Sequence, residues 1–412
     1  MPTQNTPILI LGAGTFGLST AHHLAKAGYT SITLLEKGLT IPSPLSAAND
    51  LNKIVRAEYE DPFYTDLALA AIEAWSSDPL FAPHFRQVGY LLGNSAAAPE
   101  KSRISFVKAL SSIETHPAFV GKITQISSRE DVRRVAPGLD GEMEGWEGYF
   151  NALAGYARAA DALRGMYEEV KGMGVDVRLG EAVASLEYEG GRCVGAVTEA
   201  RKRYVAEVTV VTLGASVAKL LPALGKQLVA RSWTIAHVQP TEEEAEKLKG
   251  IPVTYSRDLG FFMEPDRTGL LKVSPSGAGF TNYVDGVSLP TEQNGFLPAG
   301  EEEAVRKLLR VHLPSLADRP LVGCKICWCA DTVDSEYIID FVPGTEGLIV
   351  ATGDSGHAFK MFPLVGGWIK DVLENGKQSI FRWKWKERSD ADSGPADVSW
   401  RVGKSRDLSE VV

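Results

Sequence analysis

The sequence predicts an α/β fold with two domains, and three observations support this. An apolar run from Ile8 to Leu11 leads into a glycine-rich turn, a helical pattern and a second apolar run from Ile32 to Leu35. The length of 412 residues exceeds one simple core and fits two domains. Further strand-like runs and helical patterns follow along the rest of the chain. We therefore expect an α/β first domain and an α+β second domain with a mixed antiparallel sheet.

The turn after the first strand carries a nucleotide-binding pattern. Gly12, Gly14 and Gly17 have the G-x-G-x-x-G spacing. The first glycine allows a tight turn, the second lets the backbone approach a pyrophosphate, and the third lets the helix pack closely on the sheet. Glu36 lies 19 residues after Gly17, where such folds place an acid that binds ribose hydroxyls. These features predict a Rossmann-like domain for a dinucleotide without a 2′-phosphate, and the pattern itself leaves NAD and FAD open.

The remaining elements follow from the spacing of apolar side chains. Helices are expected where apolar residues recur near every 3.6 positions, and strands where apolar runs end in turn residues. The predicted helices span residues 62–75, 102–113, 159–170, 301–312 and 363–374. The predicted strands span residues 86–92, 175–179, 182–188, 193–198, 205–212, 233–239, 260–265, 269–273 and 347–352. Gly214 follows one of these strands, and its turn suits either a second approach to the nucleotide or a plain strand end.

The order of these elements predicts how the domains share the chain. The nucleotide-binding domain is expected to be discontinuous, and it comprises residues 1–85, 145–228 and 320–390. The second domain, which would form the substrate side, comprises residues 86–144 and 229–319. From residue 381 onward the pattern suggests a last strand and a polar loop, with a C-terminal tail at 391–412.

Charge and composition exclude several classes of protein. The net charge of −9 disfavours binding to nucleic acid or to an acidic membrane, because either partner requires an excess of Lys and Arg. The apolar runs fall short of the roughly 18 residues that span a bilayer. Residues 1–7 show no secretory signal, and the C-terminus is not an S-K-L type peroxisomal address. We expect a cytoplasmic protein that is a monomer or a weak homo-oligomer.

Three of the four cysteines lie close together, at Cys324, Cys327 and Cys329. A zinc site would need a fourth ligand, and Cys193 is far away in the sequence, so no metal is expected. A disulfide is not expected without a secretory signal. Buried structural thiols would account for two of the three cysteines, which leaves one available for covalent chemistry. On pattern alone, Lys272 in its apolar strand is expected to point to solvent.

At this stage the chain resembles a family of FAD-dependent amine oxidases that includes monomeric sarcosine oxidase, pipecolate oxidase and the fungal fructosyl amino acid oxidases, or amadoriases. The resemblance extends in order from the first strand to Pro363. The matching segments are ILGAGTFGLSTAHHLAKAGYTSITLLEK, NDLNKIVRAEY, SWTIAHVQ, GFFMEPDRTGLLKV, CWCADTVDSEYIID and ATGDSGHAFKMFP. The cysteine segment and GDSGHAFK are the most specific of these.

The resemblance implies roles for individual residues. Cys327 matches the cysteine that carries the flavin as an 8α thioether, and Lys272 matches the lysine linked to oxygen reduction. Arg56 and Lys360 match the pair that binds the substrate carboxylate, and Lys53 matches a basic active-site residue of the amadoriases. The full set implied to bind FAD is Gly12, Gly14, Thr15, Phe16, Gly17, Glu36, Lys37, Ser46, Asn52, Lys53, Val183, Gly214, Cys327, Asp354, Gly356, His357, Phe359 and Lys360.

The family includes several activities, and one position helps to distinguish them. Amadoriases have a glutamate four residues after the oxygen-site lysine and sarcosine oxidases have a histidine there, whereas this chain has Ser276. Arg56 is a feature of sarcosine and pipecolate oxidases. The resemblance therefore favours oxidation of the C–N bond of a secondary amino acid by FAD and O2, giving an imine and H2O2. The alternatives are a fructosyl amino acid oxidase, a flavin-binding sensor or scaffold without turnover, and a dehydrogenase that uses another acceptor.

Overall fold

The computed structural model describes residues 2–387 and 403–412. Its strands are β1 Ile8–Leu11, β2 Ile32–Glu36, β3 Lys53–Val55, β4 Phe85–Arg86, β5 Tyr90–Asn94, β6 Ile123–Ile126, β7 Glu147–Asn151, β8 Gly155–Ala157, β9 Asp176–Leu179, β10 Val183–Glu189, β11 Arg192–Thr198, β12 Arg203–Val205, β13 Val208–Val211, β14 Leu228–Val238, β15 Val253–Ser256, β16 Gly260–Phe262, β17 Leu271–Pro275, β18 Phe280–Thr281, β19 Tyr283–Val284, β20 Val287–Ser288, β21 Leu321–Thr332, β22 Ile338–Phe341, β23 Leu348–Thr352 and β24 Arg406–Asp407. Its helices are α1 Thr15–Lys26, α2 Pro62–Ser77, α3 Glu100–Glu114, α4 Arg129–Val135, α5 Ala159–Gly172, α6 Val217–Leu220, α7 Glu242–Lys247, α8 Glu301–His312 and α9 Val365–Asn375.

The first sheet has the strand order β22-β23-β13-β1-β2-β9. Its strands pair in parallel except for β22, which is antiparallel to β23. The four residues of β1 are all buried, as expected for a central parallel strand that is covered on both faces. Helix α1 packs against α5 and α9. This arrangement confirms the predicted α/β fold of the nucleotide-binding region.

Helices α1 and α9 approach each other very closely. The Ser19 hydroxyl donates a hydrogen bond to the main-chain oxygen of Phe362 at 2.7 Å. A Cβ added at Gly366 would lie 2.0 Å from the main-chain oxygen of Ser19, so a side chain does not fit at this position. These contacts fix the start of α9, which follows the turn at 353–360, against α1.

The second sheet is mixed and mainly antiparallel. Its order is β24-β18-β14-β17-β16-β15-β5-β7-β6, and β21 pairs with β14. Helix α8 packs on this sheet through Val305, Leu308 and Leu309, which are fully buried. The predicted hairpin around residues 266–268 is confirmed, because β16 and β17 pair in antiparallel fashion. The predicted α+β character of this region is also confirmed, whereas the domain limits stay predictions.

Two predicted strands are each divided between two sheets. The run 86–92 contains β4 and β5, because Gly89 turns the chain with φ +84°. The run 205–212 contains the end of β12, which pairs with β11, and β13, which pairs with β1. The strand predicted after residue 381 is instead a short 3-10 helix at Phe381–Trp383. The predicted polar loop, with residues 388–402, lies outside the described residues, and β24 beyond it pairs with β18.

Among the residues described, none of the helices combines the length and the apolar character needed to cross a bilayer.

Candidate active site

A cavity of about 550 Å³ extends from the glycine-rich turn after β1 to β17 and β21 of the second sheet. It collects most of the site residues that were predicted from sequence. The predicted residues that line it are Gly12, Gly14, Thr15, Phe16, Glu36, Lys37, Ser46, Lys53, Arg56, Val183, Gly214, Lys272, Cys327, Asp354, Gly356, His357, Phe359 and Lys360. Gly17 and Asn52 do not line the cavity. Gly17 packs against Gly12, and the main-chain oxygen of Asn52 accepts a hydrogen bond from Lys272, and both of these partners line the cavity.

The three glycines of the turn differ in what surrounds them. A Cβ on Gly12 would lie 2.7 Å from the main-chain oxygen of Thr212, and one on Gly17 would lie 1.8 Å from that of Gly12. A Cβ on Gly14 would meet nothing within 4 Å. The Gly14 Cα therefore borders open space at the start of α1, whose first N–H groups can bind an anion. A dinucleotide pyrophosphate fits this end of the cavity.

Glu36 lies at the end of β2 and is 8% exposed. One carboxylate oxygen accepts a hydrogen bond from the N–H of Ala13 at 3.0 Å, and the other accepts one from the N–H of Gly38 at 2.9 Å. These bonds fix the carboxylate beside the glycine turn. Each oxygen keeps a further lone pair, so the group can still accept hydrogen bonds from ribose hydroxyls.

Lys272 is buried, not exposed as its strand pattern predicted. Its Nζ donates to a carboxylate oxygen of Asp50 at 2.6 Å and to the main-chain oxygen of Asn52 at 2.9 Å. Burial lowers the pKa of Lys272 to about 8, although the attraction of Asp50 opposes this shift. A lysine can occupy this strand because a carboxylate from the loop before β3 neutralises it.

Asp50 also pairs with Lys53, whose Nζ lies 2.9 Å from the same carboxylate oxygen. Burial of Asp50 favours its neutral form, but the two ammonium groups hold the pKa of Asp50 well below its usual value. Burial likewise disfavours the charge of Lys53, and the neighbouring Cys327 and Asp50 raise its pKa above the ordinary value. The site thus contains one carboxylate shared by two cations. Sequence reasoning did not assign Asp50 to the site, although its position three residues before Lys53 was a signal.

Cys327 lies on β21, directly opposite Trp233 of β14. Its Sγ is 3.8 Å from Nζ of Lys53 and 3.7 Å from the main-chain oxygen of Ala47. The sulfur of Cys327 is therefore in contact with both Lys53 and the loop before β3. All four cysteines are outside disulfides, and the described residues contain no cluster of His, Cys, Asp and Glu that could hold a metal ion.

Two more cations approach the cavity from different segments. The Arg56 guanidinium lies 5.2 Å from the centre of the Tyr59 ring and donates a hydrogen bond to the main-chain oxygen of Glu58. The Lys360 Nζ donates to the Tyr59 hydroxyl at 2.7 Å. Burial, and then repulsion from Arg56, lowers the pKa of Lys360 well below its ordinary value. Neither cation forms an ion pair with a carboxylate within residues 2–387 and 403–412, so both can bind an anionic ligand.

The Tyr59 hydroxyl connects Lys360 to His357. Nε2 of His357 lies 2.9 Å from the main-chain oxygen of Ser335, which can only accept, so this nitrogen carries the proton. Nδ1 then accepts from the hydroxyls of Tyr59 at 3.1 Å and Tyr337 at 3.2 Å. Burial, and then the charge of Lys360, lowers the pKa of His357 to about 3. His357 is therefore a neutral residue that orients Tyr59.

Asp354 lies on the same turn as His357 and Lys360. Its carboxylate accepts a hydrogen bond from the N–H of Ala330 on β21 at 2.5 Å. Burial raises the pKa of Asp354 to about 6, and the charge of Lys53 partly opposes this shift. The hydrogen bond joins the turn at 353–360 to the strand that carries Cys327.

Known proteins resemble this chain along nearly its whole length. The profile of the DAO family, FAD dependent oxidoreductase, matches residues 7–372. L-Saccharopine oxidase of Schizosaccharomyces pombe is 31% identical, over 97% of this chain and 96% of that protein. Monomeric sarcosine oxidase of Bacillus sp. is 25% identical, over 90% of this chain and 93% of that protein. The solved structure of the deglycating enzyme fructosamine oxidase (Amadoriase II) from Aspergillus fumigatus matches with a TM-score of 0.88 at 33% identity, covering 100% of this chain and 97% of that one.

Proposed function

Because the chain belongs to the family of FAD-dependent oxidoreductases, we propose that it oxidises the C–N bond of a secondary α-amino acid with O2 as the electron acceptor. The observation that supports this most directly is a pair of cations, the partly buried Arg56 and the buried Lys360, which face the same cavity as the nucleotide turn. A carboxylate bound between two fixed cations is held by charge-assisted hydrogen bonds. An amino acid bound in this way has its amine and α-carbon in a defined orientation.

The residues around the cavity suit FAD. The turn at Gly12 and Gly14 would hold the pyrophosphate, Glu36 the ribose, and Cys327 the flavin ring through a thioether. When bound, FAD would accept two electrons from the substrate as a hydride and pass them to O2, which takes up two protons to become H2O2. The cavity begins at the pyrophosphate position and reaches Cys327, so one bound dinucleotide would connect the two ends.

The substrate loses a hydride from its α-carbon or N-substituent, and a proton from nitrogen. The C–N single bond becomes the double bond of an imine. Water then hydrolyses the imine to an amine and a carbonyl compound, which completes the reaction without a further oxidant. Arg56 and Lys360 contribute orientation to this reaction, and Tyr59 with His357 keeps Nζ of Lys360 in place.

Lys272 would act in the step in which O2 is reduced. Its ammonium is fixed by Asp50 and Asn52 and lines the cavity, so its charge requires no rearrangement when negative charge develops on the oxygen being reduced. Preorganised charge of this kind is among the strongest contributions to catalysis.

Oxidation of fructosyl amino acids is the second candidate function. The solved structure of Amadoriase II covers the entire chain, and such a substrate is also a secondary amine with a carboxylate. Ser276 lines the cavity with a hydroxyl that has no hydrogen-bond partner in the described residues, so it can bind a polar substituent. The absence of a glutamate at this position favours substrates without a sugar.

The first prediction concerns the substrates. The purified enzyme should consume O2 and release an equal amount of H2O2 with sarcosine, pipecolate or saccharopine, and faster than with fructosyl glycine or fructosyl valine. For amines that lack the α-carboxylate, the rate of oxidation should be lower by a factor of roughly 30 or more. Loss of a buried charge pair costs about 2–5 kcal/mol. Oxygen-electrode and peroxide assays measure both quantities. Zero oxygen uptake with every amine would refute the proposal, and faster turnover of the fructosyl compounds would favour the second candidate.

The second prediction concerns covalent attachment of the flavin. In the wild-type protein the yellow colour should stay with the pellet after acid precipitation, whereas in Cys327→Ala it should appear in the supernatant. Cys329→Ala is the matched control, because Cys329 lies two residues away and lines the same cavity. Colour that leaves the wild-type protein completely in acid, or that stays with Cys327→Ala, would contradict attachment at Cys327.

A further inference from the structure

We propose that Arg257 binds a second carboxylate of the substrate, so that the preferred substrates are secondary amino acids with two or more carboxylates. This inference rests on the proposed oxidation of a secondary amino acid and specifies its substrate class.

Arg257 is a buried cation in the wall of the cavity. It directly follows β15, and its N–H donates a hydrogen bond to the main-chain oxygen of Gly93 at 2.9 Å. The residue is 9% exposed and lines the same cavity as Arg56 and Lys360. The main chain therefore fixes this arginine, and its side chain reaches the cavity from the side of the second sheet.

The guanidinium of Arg257 has no direct carboxylate partner among the described residues, and its only link to one runs through the Ser105 hydroxyl, which donates to Glu60 at 3.3 Å. One terminal nitrogen donates to the hydroxyl of Ser105 at 2.5 Å, and Nε has no hydrogen-bond partner. In the described parts of the chain, no carboxylate lies within 4 Å of it. Arg231, which is also buried, has the carboxylate of Asp331 at 3.3 Å. Burying an unpaired charge is costly, so an anion from outside the chain is the expected partner of Arg257.

Arg257 is not needed to bind the α-carboxylate, because other charged groups of the site would bind it. Lys272 and Lys53 share Asp50, and the α-carboxylate would lie between Arg56 and Lys360. Glu58, the buried carboxylate near Arg56, accepts a hydrogen bond from the Asn151 amide at 2.6 Å and does not line the cavity. One cation therefore remains for a second anionic group.

Aromatic side chains link the two cationic positions. The Arg56 guanidinium lies 5.9 Å from the centre of the Tyr90 ring, and that ring lies 6.3 Å from the ring of Tyr255. Tyr255 is on β15, two residues before Arg257, and both tyrosines line the cavity. An extended substrate could lie along these rings with a carboxylate at each end. Its amine would then lie between the two charged groups.

The first experiment uses matched substrates and the unaltered holoenzyme. N-(carboxyalkyl)glycines of increasing chain length are compared with the corresponding primary carboxamides, which have the same shape without the charge. At the best chain length the carboxylate should have a kcat/KM roughly 10- to 100-fold higher, mainly through a lower KM. Equal kcat/KM values for acid and amide at every length would overturn the proposal.

The second experiment assigns the preference to Arg257. Arg257→Gln should reduce the ratio of kcat/KM for acid over amide by roughly 10- to 100-fold, and Arg257→Lys should restore part of it. Ser105→Ala removes the hydrogen bond and keeps the charge, so the ratio should stay high. Arg267→Gln, at a side chain that is 67% exposed, is the surface control. Equal losses in Ser105→Ala and Arg257→Gln would show a purely structural role and overturn the proposal.

A binding measurement separates this inference from the proposed function. Ether analogues, with oxygen in place of the amine nitrogen, cannot be oxidised to an imine and can be titrated into the protein by calorimetry. The ether dicarboxylate should bind roughly 10- to 100-fold more tightly than its monoamide, and Arg257→Gln should abolish this difference. If no amine is oxidised but the difference is present, the proposed function fails and the carboxylate site stands. If amines are oxidised but the difference is absent, only the carboxylate site fails.

Discussion

Replacing Lys272 by methionine should slow oxygen-dependent turnover by roughly 100- to 1000-fold, which corresponds to about 3–4 kcal/mol of lost transition-state stabilisation. Turnover with an artificial electron acceptor should fall much less, because under the proposed function Arg56 and Lys360, and not Lys272, would bind the substrate carboxylate. The comparison of O2 uptake with dye reduction at saturating amine measures the effect. Methionine suits the buried position, and Asp50 keeps Lys53 as a partner at 2.9 Å, so the fold should be retained.

Lys325→Met is the matched control for this variant. Lys325 lies on β21 and its Nζ donates to the main-chain oxygen of Asn49 at 2.6 Å, so its replacement also disturbs the loop that holds Asp50. It should leave oxygen reactivity within a few-fold of wild type. Full oxygen reactivity in Lys272→Met would show that the lysine has no such role.

The same lysine should make oxygen reactivity depend on pH. The ammonium is present below its pKa and is lost as the pH rises through about 8, so the oxygen-dependent rate should decline above that value. In Lys272→Met this decline should disappear, which separates the titration of Lys272 from that of the substrate amine.

Replacing Gly14 by valine should prevent FAD binding without unfolding the protein. Gly14 has φ −81°, which residues with a side chain adopt freely, and its Cβ would enter open space. That space is where the pyrophosphate would approach the backbone, so we expect at least a 100-fold loss of affinity for FAD, since a close backbone approach is required there. The ratio of flavin to protein absorbance, and titration of FAD into apoprotein that carries Cys327→Ala so that no thioether can form, measure this loss.

Gly172→Val provides the comparison for a glycine away from the cavity. Gly172 is the exposed last residue of α5 and also has nothing within 4 Å of its Cβ position. Both variants should unfold at nearly the same temperature as wild-type apoprotein, and only Gly14→Val should lose the flavin. Wild-type affinity for FAD in Gly14→Val would place the pyrophosphate elsewhere.

The parts of the fold that were predicted correctly depend on local patterns. The unit from β1 to β2 has its strands, turn, helix and acid within about thirty residues, so its spacing alone identifies it. The divided run at 205–212 shows the limit of this approach. Val205 ends β12 and residues 208–211 form β13, and only their pairing with β11 and β1 separates these two strands.

Only part of the site could be predicted from the sequence, because some of its contacts join residues that are far apart in the chain. Resemblance gave the positions of Lys272, Cys327 and Lys360, and they line one cavity. The burial of Lys272 and the hydrogen bonding of Arg257 depend on contacts with residues 222 and 152 positions away in the chain. Single-residue patterns carry no information about such contacts, so Lys272 was expected in solvent and Arg257 was overlooked.

The order of the first sheet sets when this protein can acquire its cofactor during synthesis. Strand β1 lies between β2 and β13 in the sheet. The other neighbour of β13 is β23, which ends at Thr352. A ribosome adds about 5–20 residues per second, so roughly 20–70 s separate the synthesis of the glycine turn from that of the last residue of β23. Throughout this interval the nascent chain has a nucleotide motif without a completed sheet. We therefore expect stable FAD binding only after β23 has been made, so ribosome-bound chains that end before Thr352 should carry no flavin colour.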